Sequence, residues 1–277
     1  MKIAIITDME GVAGVLNEKD WTLPDGRYYE QGKAFLTEET NAAIDGFFAA
    51  GAERITVIDG HGVGGINPWL LDERAELACG VGVSDYYGLN ADFDALAWIG
   101  QHAKAGSLYS HIAHTSNFDV IECKLNDVSV GEFGLTAAIG GCFGAVSLFG
   151  SGDREFNKEA KALIPHMHTV EVKYGFNTSD GADCDFEGYR RHTLGAVHIH
   201  PKRACALIRE GAEKALKEFI NNRDSYKPFT LGPPYFVEIQ FRAVDNKPPY
   251  KITSQHDSDI ATMYHALAGA QPEEPPE

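Results

Sequence analysis

Short runs of β-branched and apolar residues alternate with stretches of helical periodicity, and this alternation limits the folds that the chain can adopt. The first run is Ile3 to Thr7, and similar runs cover Ile55 to Ile58, Ala95 to Ile99, Ala145 to Leu148 and Thr169 to Val172. Continuous apolar runs of this length are typical of parallel strands that are covered on both faces. The pattern predicts an α/β fold with a doubly wound, mostly parallel sheet.

Four segments have the 3.6-residue periodicity of helices that cover a sheet. They are Tyr29 to Ala50, Glu132 to Phe143, Asn157 to Leu163 and Lys202 to Asn221. The polar segment from Gly175 to Gly188 and a later strand candidate, Tyr235 to Phe241, indicate a smaller and less regular C-terminal α+β subdomain. We expect an α/β domain at residues 1–165, this subdomain at 166–269, and a disordered tail at 270–277.

The charge balance limits the possible partners. The chain of 277 residues has 24 Lys and Arg against 40 Asp and Glu, a net charge of −16. Such a charge repels nucleic acid and anionic membranes, so we expect neither as a partner, and a cationic or metal-associated ligand fits better. The five cysteines are widely spaced without a CxxC pair, and the first residues have no apolar stretch of signal-peptide length. Both features favour reduced thiols and a cytoplasmic location.

Metal-binding residue types follow three of the predicted strands. Asp8 and Glu10 come after the first strand, His61 after the second and His102 after the third. Loops at the carboxyl ends of parallel strands converge, and Glu132 at the start of a predicted helix can join them. Two imidazoles with three carboxylates suit Zn²⁺, Mn²⁺ or Co²⁺, and five ligands with open positions indicate two ions that share a carboxylate. Taken singly, each residue has a common structural role, so the hypothesis depends on their joint placement.

Two neighbouring residues are candidates for supporting the imidazole ligands. Ligating imidazoles usually donate their other N–H to an oxygen atom. Asp59 precedes His61 by two positions, and Gln101 adjoins His102. Asp59 also suits an ordinary turn.

These segments resemble the D-aminopeptidases of the DppA type, a family of dinuclear-zinc peptidases. The resemblance covers residues 1–165 and rests on Asp8-Met9-Glu10-Gly11, Asp59-Gly60-His61, Gly100-Gln101-His102-Ala103, Val130-Gly131-Glu132-Phe133-Gly134-Leu135 and Gly152-Asp153-Arg154. It implies that Asp8, Glu10, His61, His102 and Glu132 are the zinc ligands.

The resemblance also implies a catalytic histidine shortly after the second ligand histidine, in a Ser-His-Ser type of context. Ala113-His114-Thr115-Ser116 fits this context best and assigns His114. The spacing from His102 is then one residue longer than in the family. His111, preceded by Ser110, is the alternative.

The resemblance implies a dinuclear-metal aminopeptidase that releases the first residue of short peptides, with a preference for D-amino acids such as D-Ala. It further implies two zinc ions and a homodecamer of stacked pentamer rings. We expect the C-terminal subdomain to complete the pocket and the oligomer contacts. Two alternatives stay open. One is a metal-dependent amidohydrolase or phosphoesterase with another small substrate, since the C-terminal third departs from the family. The other is a non-catalytic metal-binding module, which would unfold when its metal is removed.

Overall fold

The computed structural model describes residues 1–244 and 248–266. In chain order its elements are β1 (Lys2–Thr7), α1 (Glu18–Trp21), α2 (Tyr29–Ala49), β2 (Arg54–Asp59), β3 (Glu76–Ala78), a 3₁₀ helix (Val83–Gly88), β4 (Ala95–Gln101), β5 (Val120–Leu125), β6 (Val128–Ser129), α3 (Glu132–Cys142), β7 (Val146–Asp153), α4 (Arg154–Leu163), β8 (His168–Gly175), α5 (Phe186–His192), β9 (Ala196–His198), α6 (Pro201–Asn221), a 3₁₀ turn (Arg223–Ser225), β10 (Tyr235–Phe241), β11 (Tyr250–His256) and α7 (Ile260–Ala266).

A seven-stranded sheet forms the centre of the described part of the chain, in the order β3-β2-β1-β4-β7-β8-β9. Neighbouring strands pair in parallel except β8 and β9, which are antiparallel. Because β2 and β4 lie on opposite sides of β1, the chain winds outward in both directions from β1. The predicted α/β fold with a doubly wound, mostly parallel sheet is confirmed.

Alternate residues of β1 enter two separate hydrophobic cores, as expected for a strand that is buried on both faces. Ile3 and Ile5 face a core shared with α2 and α6. Ala4 and Ile6 face a second core, shared with α3 and α4. Helices therefore cover both faces of the sheet. Among the described residues, no helix combines the length and the apolar character that crossing a membrane requires.

The strands and helices predicted from periodicity all form, with differences at their ends. The helix predicted from Asn157 begins earlier, at Arg154, because the side chain of Asp153 caps it by accepting a hydrogen bond from the backbone N–H of Glu155. The strand predicted from Ala145 to Leu148 extends to Asp153. Strand ends and helix starts depend on capping contacts, which the hydrophobic period does not report.

A second sheet, with antiparallel strands in the order β11-β10-β5-β6, was predicted only in part. It combines strands from both sides of residue 165, whereas β8, β9 and α6 complete the large sheet and its cover. The division into residues 1–165 and 166–269 as separate domains stays a prediction. The predicted tail at 270–277 lies outside the described residues.

The turn after β1 crosses the carboxyl end of β4. The backbone N–H of Asp8 donates to the carbonyl oxygen of Ile99 at 2.9 Å, and that of Gly11 donates to Gly100 at 2.7 Å. A Cβ atom on Gly11 would lie 2.1 Å from the carbonyl oxygen of Gln101. Glycine is therefore required at position 11, and the ends of the two strands are held in contact.

Replacement of Gly11 tests this close approach. We expect Gly11→Ala to lower the free energy of unfolding by about 1–3 kcal/mol, because the strand ends must separate to admit the methyl group. Gly82→Ala is a matched control, since a Cβ atom there meets nothing within 4 Å. Urea denaturation measures both changes. Equal stability of the two variants would contradict the close approach.

Candidate metal centre

A cavity of about 390 Å³ opens at the carboxyl ends of β1, β2 and β4. Residues from four elements or their following loops reach it. They include Asp8, Glu10, His61, Gln101, His114 and Glu132. The cavity therefore lies at the edge where ligands bind to open α/β sheets, at the end of β1, the strand from which the chain winds in both directions.

The first group of candidate ligands consists of Asp8, Glu10 and His61. Each offers a ligand atom within 4.8 Å of the other two. His61 Nδ1 lies 3.2 Å from Asp8 Oδ1 and 3.2 Å from Glu10 Oε2. Two ligand atoms on one tetrahedral zinc ion are separated by about 3.4 Å, given metal–ligand distances near 2.1 Å. The spacing of these atoms fits one ion.

The second group consists of His102, His114 and Glu132, which also offer atoms within 4.8 Å of one another. Glu132 Oε1 lies 3.4 Å from His102 Nε2 and 3.8 Å from His114 Nε2. Asp8 joins the two groups, since its Oδ2 lies 3.0 Å from His102 Nε2 while its Oδ1 faces His61. This is the geometry of a carboxylate shared by two sites.

Two buried atoms of these groups support metal ligation rather than a hydrogen-bond network. Glu10 Oε2 and His102 Nε2 have no partner of hydrogen-bond geometry among the described residues. Buried polar atoms normally have such partners, so both atoms require another explanation. Carboxylate oxygen and imidazole nitrogen are ligands that zinc accepts, and the donor set fits two zinc ions.

Backbone carbonyl groups fix the orientation of all three imidazoles. His61 Nε2 donates to the carbonyl oxygen of Thr22 at 2.8 Å, and His102 Nδ1 donates to that of Ala103 at 2.9 Å. His114 Nδ1 donates to Ile112 at 2.9 Å. The second nitrogen of each ring is thereby turned toward the carboxylates, as ligating imidazoles require.

Asp59 and Gln101 do not accept hydrogen bonds from the imidazoles, so that part of the sequence prediction is wrong. The carboxylate of Asp59 accepts from the backbone N–H groups of Gly65 and Ile66, and so closes the loop after β2. Gln101 Nε2 donates instead to Asp8 Oδ2 at 3.2 Å. Gln101 therefore contacts the shared carboxylate.

Glu132 is held in place at the first turn of α3. Its Oε1 accepts a hydrogen bond of 2.8 Å from the backbone N–H of Ser116. Ser116 has a φ of +61°, a left-handed conformation that is uncommon for a side-chain-bearing residue and is often found at functional sites. The N–H of Gly131 donates to the half-buried Glu159 at 2.8 Å. The sequence analysis found Glu132 but missed Ser116 and Glu159, because no motif marks their backbone contacts.

Mutual attraction of the buried groups changes their pKa values in opposite directions. Burial alone would lower the pKa of His61, but the charge of Glu10 and the hydrogen bond with Asp8 raise it to about 12. The charges of Glu132 and Asp8 overcome burial and hold the pKa of His102 well above its usual value. Burial is likewise overcome for Glu132, whose pKa is lowered to about 2 by the charge of His102. In the metal-free chain, protons on the imidazoles balance the carboxylates.

His111, the alternative catalytic histidine, lies away from the cavity. Its Nε2 donates to the carbonyl oxygen of Leu16 at 3.2 Å, and its ring makes an edge contact with His198. Burial, together with the charge of Lys173, lowers the pKa of His111 to about 2, so the ring is neutral. His114 lines the cavity, whereas His111 does not. The geometry favours His114, whose catalytic role stays a prediction.

Similarity to known proteins, in sequence and in structure, extends over most of this chain. A family model described as D-aminopeptidase matches residues 1–248. A D-aminopeptidase of Bacillus subtilis (strain 168) is 32% identical over 246 residues, which are 87% of this chain and 81% of the relative. The solved structure of the Zn-dependent D-aminopeptidase DppA from Bacillus subtilis, described as a self-compartmentalizing protease, has a TM-score of 0.76 and 25% identity, over 97% of this chain and 96% of that chain. The similarity extends well past residue 165.

Substitution of the shared carboxylate tests the two-site geometry. Asp8→Asn should weaken the binding of both zinc ions, because Asp8 faces both groups, whereas Glu132→Gln should weaken the binding of one. Titration of the metal-free variants with zinc against a chromophoric chelator gives the stoichiometry and both affinities. Asp8→Asn protein that retains one site of wild-type affinity would show that the carboxylate is not shared.

Zinc binding to the metal-free chain should release protons and strengthen as the pH rises. The raised pKa values of His61 and His102 leave both rings doubly protonated at neutral pH, and a ring must lose a proton to ligate an ion. We expect release of about one proton per ion, and an affinity for each ion that rises about tenfold per pH unit near neutrality. Calorimetric titration in buffers of different ionisation enthalpy counts the protons. Binding without proton release would contradict the protonated state.

Proposed function

The chain belongs to the D-aminopeptidase family, and we propose that it is a metal-dependent aminopeptidase that hydrolyses the first peptide bond of short peptides, with D-amino acids such as D-Ala in the first position. The observation that carries the proposal is the Asp8 carboxylate between two ligand groups, in the cavity at the strand ends. The D preference is supported by the family description and by the descriptions of the curated Bacillus subtilis relative and of the solved Bacillus subtilis structure.

The chain supplies the ligands for two zinc ions. We assign Asp8, Glu10 and His61 to one ion, and Asp8, His102 and Glu132 to the other. Bound zinc supplies Lewis acidity, which lowers the pKa of water toward neutrality and polarises a peptide carbonyl group. The backbone contacts of the two imidazoles and of Glu132 hold the ligand atoms before an ion arrives, so little reorganisation is needed on binding.

His114 is the group that we assign to proton transfer or to stabilisation of the oxyanion. Its ring is stacked between His102, with a centroid distance of 4.0 Å, and Phe118, at 4.5 Å. The hydrogen bond from Nδ1 to the carbonyl oxygen of Ile112 fixes the rotation of the ring, so that Nε2 lies 3.8 Å from Glu132 Oε1, and both residues line the cavity. A held imidazole at this place can donate a hydrogen bond to a developing oxyanion or a proton to the leaving amine.

The cavity suits a short peptide with a free amino group. Carboxylates of Asp8, Glu10, Glu18 and Glu132 line it, and the net charge of the chain is −16. Both features favour an approaching ammonium group. A volume of about 390 Å³ accommodates a few residues rather than a folded chain. The similarity past residue 165 removes the divergence that had left another amide or phosphoester substrate open.

We also propose that the chain assembles into a homodecamer of stacked pentamer rings and acts in the cytoplasm. The assembly is supported by the description of the solved relative as a self-compartmentalizing protease. The location is supported by the five cysteines, all of which have free thiols. Free thiols are typical of proteins in reducing compartments.

Release of alanine from two matched peptides tests the activity and its stereochemistry. Zinc-loaded protein should hydrolyse D-Ala-Gly-Gly and leave L-Ala-Gly-Gly intact, and removal of zinc with a chelator should abolish turnover. Equal turnover of the L peptide would contradict the D preference. Absence of turnover of both peptides, with two zinc ions bound, would contradict the aminopeptidase function.

A comparison of two histidine variants tests the role of His114. His114→Asn should lower kcat by a factor of about 10² to 10⁴, because proton transfer or oxyanion stabilisation is lost. It should retain two zinc ions by elemental analysis. His111→Asn is the control and should keep its kcat per folded molecule. Loss of one zinc ion from His114→Asn would show instead that His114 is a metal ligand.

A further inference from the structure

A lysine side chain is buried directly behind the segment that carries two of the candidate ligands. Lys173 lies on β8 and is only 1% exposed. Its ammonium group donates to the carbonyl oxygen of Glu10 and lies 3.3 Å from that of Val12 and 3.5 Å from that of Val15. An ammonium group has three N–H donors and no acceptor. Three carbonyl groups of one short segment therefore match its full hydrogen-bonding capacity.

The partners of this buried cation are carbonyl groups rather than carboxylates. Within the described residues, every hydrogen bond of the Lys173 ammonium group goes to a backbone carbonyl group, and the charges of Asp153 and Glu39 act on it without direct contact. A buried charge without a paired carboxylate is costly, and an apolar side chain of similar length would avoid this cost. The position of Lys173 therefore points to a role that requires a cation or a multiple donor.

The segment that Lys173 contacts has no helix or strand to fix its carbonyl groups. Its other anchors outside the segment are single hydrogen bonds from three backbone N–H groups, that of Gly11 to the carbonyl oxygen of Gly100, that of Ala13 to Glu39 and that of Gly14 to His198 Nδ1. Lys173 alone among these anchors joins the carbonyl groups of Glu10, Val12 and Val15 to one point, and it contacts the chain where it leaves Glu10. The path of the chain there sets the direction in which the Glu10 carboxylate points.

We propose that Lys173 is a positioning residue of the metal centre, which fixes the 10–15 segment so that the Glu10 carboxylate meets Asp8 and His61. The proposal rests on the two-metal site proposed above and does not depend on the substrate. The proposal predicts that Lys173 affects the binding of one ion only, because Lys173 contacts the segment of the first ligand group alone.

The second ligand group has separate anchors. Glu132 is held by the N–H of Ser116 and by its place at the start of α3, and His102 is held by the carbonyl group of Ala103. Removal of the Lys173 ammonium group should therefore affect the ion held with Glu10 and leave the ion held with Glu132 nearly unchanged. A cation that stabilised only the fold would affect neither ion selectively.

The test is a zinc titration of metal-free Lys173→Met against a chromophoric chelator. We expect one zinc ion to bind with wild-type affinity and the other to bind about 10- to 100-fold more weakly, the range found when groups that orient metal ligands are removed. Lys161→Met is the matched control. Lys161 on α4 is exposed and donates to one backbone carbonyl group, that of Met167, away from the cavity. The Lys161→Met variant should bind both zinc ions with wild-type affinity.

A second substitution identifies the weakened site. Because Glu10→Gln removes the ligand that Lys173 is proposed to position, the double variant of Lys173→Met and Glu10→Gln should bind the weaker ion little differently from Glu10→Gln alone. Additive losses would overturn the proposal. Equal weakening of both ions in Lys173→Met, weakening of neither, or the same loss in Lys161→Met would also overturn it.

A third variant keeps the proposal testable where Lys173→Met does not fold. Lys173→Gln retains two N–H donors without a charge, so it should weaken the same ion by a smaller factor, with circular dichroism confirming the fold. Wild-type affinity for both ions in this folded variant would overturn the proposal whenever the Met variant cannot be measured. Because the titration uses no substrate, a lack of peptidase activity would count against the proposed function alone.

Discussion

The position of one carboxylate, that of Asp8, determines the arrangement of the whole candidate centre. Its two oxygens face different imidazoles, His61 at 3.2 Å and His102 at 3.0 Å. The sheet explains this position, because β1 lies between β2 and β4, and a residue just beyond β1 lies between the loops that follow its neighbours. A doubly wound sheet thus offers one place for a shared ligand, at the end of the strand from which the chain winds in both directions.

A layer of buried polar groups beneath the cavity supports this arrangement. Burial raises the pKa of Glu39 to about 8 and that of Asp153 to about 6, while their oxygens accept hydrogen bonds from backbone N–H groups of the loops above. Glu39 holds the loop after β1 through Ala13, and Asp153 holds the loop with His114 through the N–H of His111. Groups buried at such cost are acceptable where they hold functional side chains in place.

The hydrophobic period predicted the large sheet because its strands are buried on both faces. In contrast, β5 and β11 mix apolar with charged residues, and β5 pairs with β10, which lies far away in the sequence. Ligand residue types at strand ends predicted the candidate centre. The acceptors of the imidazoles, the carbonyl groups of Thr22 and Ala103, were not predictable, since every residue has a carbonyl group. Lys173 did leave a signal, as a lysine within a strand, but its meaning depends on carbonyl groups far away in the sequence.

Anomalous X-ray diffraction at the zinc absorption edge, from crystals of the zinc-loaded protein, tests the two-ion centre most directly. We predict two anomalous peaks about 3.5–4 Å apart, with the Asp8 carboxylate between them, Glu10 and His61 beside one peak, and His102 and Glu132 beside the other. The electron density of the same crystals shows whether His114 contacts an ion or is free to act on the substrate. A single peak, or two peaks that do not share Asp8, would contradict the account.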